Sequence, residues 1–190
     1  MANNPKTIHR RTSGLSPEFA LLGFLDQSPA HGYELHQKLI DQLGEIWHCS
    51  QSQTYNILTR LEAQGFIEGT PQPQEKRPDK RELCLTESGH ERFETWLDVL
   101  SPCSVRAIRI EFMTRLYFLH ARNPQAAFAM IDSQIEALYA HLERLKSHLI
   151  DLPEAQTFNR LGMSLRVSQL ETLATWLESC KSLIPLQSQR

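Results

Sequence analysis

Ser50-Gln51-Ser52-Gln53-Thr54-Tyr55-Asn56-Ile57-Leu58-Thr59-Arg60-Leu61-Glu62-Ala63-Gln64-Gly65-Phe66-Ile67 is the stretch from which the architecture is read. Ser50 and Gln53 have the spacing of a capping box, and Gly65 is placed to end the helix that such a box opens. Thr54, Ile57, Leu58 and Leu61 fall three and four apart, so one side of the helix is expected to be buried. The other side carries Gln53, Asn56 and Arg60, with Ser52 and Thr59 beside them. Short or planar hydrogen-bonding groups of this kind reach base edges and phosphates. A solvated surface helix would show the same outer face, so the neighbouring elements decide.

Upstream, Ser16-Pro17-Glu18 starts a helix that is apolar on most sides from Phe19 to about Asp26, and Ser28-Pro29 ends it. A second helix follows His31-Gly32-Tyr33, with Tyr33, Leu35, Leu39, Ile40 and Leu43 as its inward face. Downstream the period changes. Phe66–Thr70 and Arg81–Leu85 read as strands, separated by a proline-rich loop containing Lys76, Arg77 and Lys80. Three short helices followed by a hairpin predict a winged helix-turn-helix, with the Ser50 helix as its recognition helix. The expected DNA contacts are Ser52, Gln53, Tyr55, Asn56 and Arg60 on the helix and Lys76, Arg77, Lys80 and Arg81 on the wing. Gln53 carries a conflict, because a side chain folded back into a capping box is not free to read adenine.

Residues 15–90 resemble the DNA-binding domain of the PadR family of bacterial transcriptional regulators. The resemblance is carried by the Leu15–Leu25 helix, Gly32-Tyr33-Glu34-Leu35, Trp47, Tyr55, Leu58 and Arg60-Leu61-Glu62. It continues through Gly65-Phe66-Ile67 and Leu85-Thr86-Glu87-Ser88-Gly89. It implies a dimeric winged-helix protein, usually a repressor, with a helical second half that dimerises, and it sets Tyr55 against the DNA backbone. Where the family commonly has Gly-Thr-Leu-Tyr-Pro, this chain has Ser52-Gln53-Thr54-Tyr55-Asn56. That version is similar to the branch containing virulence activators, so an activator of the same fold is the alternative to a repressor.

Charge gives less support. Residues 1–88 hold nine Lys/Arg against eleven Asp/Glu, a balance of −2, whereas phosphate-binding domains usually carry a basic excess. Any DNA surface must therefore be local: Lys6, His9, Arg10 and Arg11 in a polar arm over residues 1–14, or the wing cations. The acidic balance motivates a second reading, a protein-interaction adaptor whose winged helix does not bind DNA.

The mainly α second half, residues 91–190, is expected to be a helical, coiled-coil-like dimerisation domain. Thr86 caps a helix to Leu100 that turns Phe93, Trp96, Leu97 and Leu100 inward. Val105–His120 is helical, and Asn123-Pro124 starts a long helix. In that helix Phe128, Ile131, Ile135, Leu138, Leu142, Leu145 and Leu149 alternate spacings of three and four, a heptad seam. A final helix from about Phe158 carries Leu161, Leu165, Leu170, Leu173, Leu177 and Ile184. The seam seeks either that helix or a second chain, and the expectation is a homodimer on a pseudo-palindromic site.

Other chemistry finds little footing. No GxGxxG, Walker, HExxH or GxSxG pattern is present, so neither an enzyme nor a cofactor is expected. Eight histidines show no close ligand grouping, and no metal is expected. Trp96 and Trp176 could stack on a small aromatic ligand, but their spacing favours core packing. Four scattered cysteines, no apolar h-region and no membrane-length apolar run predict a cytoplasmic protein.

Overall fold

The computed structural model describes residues 16–72 and 80–184. Its elements run α1 (Glu18–Gln27), β1 (Ala30–His31), α2 (Gly32–Leu43), α3 (Gln51–Ala63), β2 (Ile67–Gln72), β3 (Lys80–Leu85) and α4 (Glu87–Leu97). They continue through α5 (Val105–Ala107), a π-helical turn (Ile108–Phe112), α6 (Met113–Arg122), α7 (Pro124–Asp151) and α8 (Thr157–Leu183). None of the described helices is long and apolar enough to cross a membrane.

Helix α1 is the hub of the first core, with Ala20, Leu21, Leu22, Phe24 and Leu25 all buried. Around it pack Leu35 and Leu39 of α2, Leu58 and Leu61 of α3, and Phe93 and Leu97 of α4. The strands form one antiparallel sheet in the order β1-β3-β2, with Ile67 opposite Leu85 and Ala30 opposite Leu83. The two-residue β1 has no counterpart in the sequence reading, because only its pairing with β3 makes it a strand. Tyr33 and Ile40, expected to face inward on α2, are instead exposed, as is Leu100 beyond α4. The inward stripe of α2 is the narrower Leu35, Leu39 and Leu43.

How α3 stops fixes where the wing begins. Gly65 sits at φ 74°, the left-handed conformation that glycine adopts without a Cβ penalty. Its N–H donates to the Glu62 carbonyl at 2.9 Å, and the Phe66 N–H reaches the Leu61 carbonyl at 3.0 Å. Those two bonds are a Schellman motif, and they satisfy carbonyls that the helix end would leave bare. The same corner starts α4: the Thr86 and Ser88 hydroxyls donate to the Gly65 carbonyl, and Thr86 Oγ1 accepts from the Gly89 N–H. A Cβ on Gly89 would lie 1.9 Å from the Phe66 carbonyl oxygen, a backbone atom that cannot swing away. Gly89→Ala is therefore expected to cost about 2–3 kcal/mol of stability. An unchanged urea midpoint would refute this close approach.

The second core lies between α6, α7 and α8. It contains Phe112, Leu116, Ile131, Leu138, Leu142, Val167, Leu170 and Leu177. Asn123 caps α7 by accepting from the Gln125 and Ala126 N–H groups, with Pro124 at the first helical position. Pro153 lies in the turn, and α8 returns along α7. The seam is thus filled by the chain's own last helix: Ile131, Leu138, Leu142 and Leu145 are buried in this hairpin, while Phe128, Ile135 and Leu149 are half-buried. The segment from the π turn through α6 is the spine joining the two cores. Ile110 and Phe118 face the first, and Ile108, Phe112 and Leu116 face the second.

Polar groups are buried along this spine. Trp47 Nε1 donates to Thr114 Oγ1 at 2.9 Å, and that hydroxyl donates onward to the Ile110 carbonyl at 2.7 Å. Arg115, 2% exposed, donates from Nε to the Trp96 carbonyl at 2.8 Å and from Nη1 to Ser101 Oγ. Its guanidinium lies 4.4 Å from the centre of the Trp96 ring, with Glu111 as its carboxylate partner. Trp96 in turn stacks on Phe19, with centroids 4.6 Å apart. The structure therefore places Trp96 in packing, whereas Trp176 is partly exposed on α8.

Candidate nucleic-acid interface

Helix α3 turns Thr54, Ile57, Leu58 and Leu61 into the first core, leaving Ser52, Tyr55, Asn56 and Thr59 on a single outward stripe. All four are neutral and able to hydrogen-bond. The capping box is present in both directions: Gln53 N–H donates to Ser50 Oγ at 3.3 Å, and Ser50 N–H donates to Gln53 Oε1 at 2.9 Å. The conflict over Gln53 resolves by atom. Oε1 belongs to the cap, and only the Nε2 end can point elsewhere. Gln53→Ala should then cost about 1 kcal/mol of stability while leaving base preference intact. A changed preference in a duplex selection would show that Gln53 also reads sequence.

Tyr55 is 43% exposed, and its ring lies so close to the start of α2 that a Cβ on Gly32 would sit 2.9 Å from Cε1. Beside it a cavity of about 510 Å³ opens between the start of α2, the outer side of α3 and strand β3. Tyr33, Tyr55, Thr59, His31, Glu62 and Arg81 line it. His31 fixes two walls of the cavity relative to each other. Its backbone N–H donates to Glu34 Oε2 at the head of α2, and Nδ1 lies 3.0 Å from the Arg81 carbonyl on β3.

Two expected contacts are held elsewhere. Arg60 Nη2 donates to Glu18 Oε2 at 2.8 Å and to Ser16 Oγ at 3.2 Å. Glu18 is buried and also receives Arg92 Nη2 at 2.5 Å. One carboxylate of α1 thus ties down α3 and α4. The Arg92 guanidinium lies 4.5 Å from the Phe66 ring centre. In this arrangement Arg60 ties α3 to α1 while its side chain stays 44% exposed. Sequence spacing gave no sign of the triad, because Glu18, Arg60 and Arg92 are far apart in the chain and Glu18 reads there as an ordinary first-turn acid. Arg81 is the other case: its guanidinium forms a fork on Glu62, at 2.6 and 3.2 Å, and contacts the Gly69 carbonyl. Lys76 and Arg77 of the wing and the basic arm over residues 1–14 lie outside the described residues, and of Lys80 only the backbone is described.

One grouping with metal-ligand spacing exists among the described residues: Asp26, His90 and Glu94 bring ligand atoms within 4.8 Å of one another. Arg122 of α6 already supplies a cation there, bonded to Glu94 at 2.6 Å and to Asp26. Burial works against the Arg122 charge, but the bonds and charges of Glu94 and Asp26 outweigh it and raise the guanidinium pKa. The cluster reads as a clasp between α1, α4 and α6.

Residues 21–95 match the Transcriptional regulator PadR-like family, and residues 108–184 match the family described as Virulence activator alpha C-term. The chain is 26% identical over 176 residues to the negative transcriptional regulator PadR of Bacillus subtilis, covering 88% of this chain and 96% of that one. It is 30% identical over 84 residues to a probable transcriptional regulator of Mycobacterium tuberculosis, covering 44% of each. Among solved structures, Bacillus subtilis PadR in complex with operator DNA is similar, at 26% identity, 88% and 98% coverage and a TM-score of 0.44.

Proposed function

The chain carries a PadR-like family domain over residues 21–95, and from that premise we propose that it is a DNA-binding transcriptional repressor. The observation that carries the reading is the outward stripe of α3, where Ser52, Tyr55, Asn56 and Thr59 offer neutral hydrogen-bonding side chains. Ser52, Asn56 and Thr59 would face base edges. Tyr55, at the mouth of the cavity, would meet a phosphate. The wing cations Lys76, Arg77, Lys80 and Arg81 would supply the salt-dependent part of the affinity. Arg60 is assigned to holding the helix through Glu18.

The working form is a homodimer on a two-fold operator, because helix-turn-helix proteins pair half-sites about one DNA turn apart. With the heptad seam filled inside the hairpin, the contact with a second copy is assigned to the apolar side chains left outside it. Ile150, Phe158, Leu161 and Leu165 are 79, 87, 60 and 60% exposed near the turn between α7 and α8. An exposed apolar patch of that kind marks an interaction surface.

Selection of random duplexes on the purified protein, with its mass recorded in solution, tests the reading. Enrichment of a two-fold symmetric site by a dimer supports it. Absence of enrichment at moderate salt would favour an adaptor without DNA binding. The match of residues 108–184 to a virulence-activator domain favours a second sign of regulation, activation by the same fold. Transcription of a reporter placed behind the selected site separates the two, since a repressor lowers it and an activator raises it.

A further inference from the structure

Glu62 is the one acidic side chain of α3. It follows Ser52, Tyr55 and Thr59 at spacings of three, four and three, so a surface that meets DNA ends in a carboxylate. A negative group there repels phosphate unless something neutralises it, and the Arg81 fork does so. The Arg81 side chain is 54% exposed, and it lines the same cavity as Tyr55 and Thr59. The guanidinium is therefore within the reach of a backbone phosphate, while a pair exposed to this degree is held only weakly. Gly69 completes the seat. Its carbonyl accepts from Arg81 at 3.3 Å, and a Cβ on Gly69 would lie 2.7 Å from Nη2.

We propose that Glu62 is a specificity-determining residue that acts through Arg81. It occupies the wing arginine as an internal stand-in for phosphate, and so withholds one cationic contact per protomer from loosely bound DNA. Only a duplex seated closely enough on α3 for a phosphate to enter the cavity takes the guanidinium from Glu62. The consequence is weaker non-specific binding and a wider gap between operator and random sequence. The inference rests on the DNA-binding reading above.

The test compares the full chain with Glu62→Gln on a mixed-sequence duplex over a range of salt concentrations. Glutamine keeps the shape and removes the charge. Freed Arg81 should tighten non-specific binding by roughly threefold per protomer. It should also steepen the log–log salt dependence by about one per protomer, the signature of an added phosphate contact. Gly69→Ala, which keeps both charges and pushes only the flexible guanidinium off its seat, should move the salt slope the same way. Adding Arg81→Gln to Glu62→Gln should return the slope to the wild-type value. An unchanged slope in Glu62→Gln overturns the inference. So does a steeper slope that survives in the double variant, which would mean that Glu62 repels phosphate directly. Failure of the wild-type chain to bind any duplex at low salt is a different result, and it would sink the DNA-binding reading as well.

Discussion

Arg115→Leu is expected to lower the unfolding free energy by about 3–5 kcal/mol, the range for removing one partner from a buried charged network. The side chain reaches across the junction of the two cores, from α6 to the Trp96 carbonyl at the end of α4 and to Ser101 beyond it. Burial draws the guanidinium pKa down and Glu111 draws it back, but arginine stays charged in proteins. Leucine would leave a carbonyl and a hydroxyl without a donor and Glu111 without its cation. It would also remove the cation from the face of Trp96. Ser101 is itself fixed from the other side: its N–H donates to Gln134 Oε1, and its carbonyl accepts from Gln134 Nε2, both at 3.0 Å. Loss of the arginine thus loosens a link that runs from the winged helix to α7. Arg115→Lys retains the charge but not the fork, so it should fall between wild type and leucine. Guanidinium denaturation of the three proteins decides the matter. A cost below about 1 kcal/mol for leucine would mean that the side chain only fills space.

Arg115 also marks where the sequence stopped being informative. Around it Val105, Ile108, Phe112, Leu116 and Leu119 fall at helical spacing, interleaved with Arg106, Arg109 and Arg115. Arg106 and Arg109 are exposed, but Arg115 is buried. The segment lies between the two cores, with Ile110 and Phe118 on one side and Ile108, Phe112 and Leu116 on the other, so a position off the apolar stripe is enclosed all the same. Signals confined to a few residues were legible. The Ser50–Gln53 box, the Gly65 stop, the Thr86 cap and the Asn123-Pro124 start all stand where local chemistry put them. The exposed face of α3, with Ser52, Gln53, Asn56, Thr59 and Arg60, was legible for the same reason. The partners of Arg60 and Arg81 were not, because Glu18 is 42 residues from Arg60 and Glu62 is 19 from Arg81. Only the packing of α1 and β3 onto α3 brings those groups together. The heptad seam was a correct reading of apolar spacing, but spacing is silent on whether the complementary helix lies in the same chain.

Leu161→Glu combined with Leu165→Glu is expected to leave the helical content and the hairpin intact, yet to lower operator affinity by roughly 10²–10⁴-fold. Both leucines are 60% exposed, so charging them creates no buried carboxylate within the chain. The hairpin core of Leu138, Leu142, Val167, Leu170 and Leu177 does not include them. In the proposed dimer, by contrast, four carboxylates would enter one apolar contact, where desolvation opposes association. A monomer loses the second half-site, and with it the high effective concentration that a linked pair of recognition helices enjoys. Affinity for a single half-site should be little altered, since α3 and the wing are untouched. Sedimentation of the variant and its binding to full and half operators give the result directly. A variant that stays dimeric would move the interface elsewhere on the helical half. A monomer that still binds the full operator tightly would separate dimerisation from recognition, and the spacing of the half-sites would then lose its physical basis.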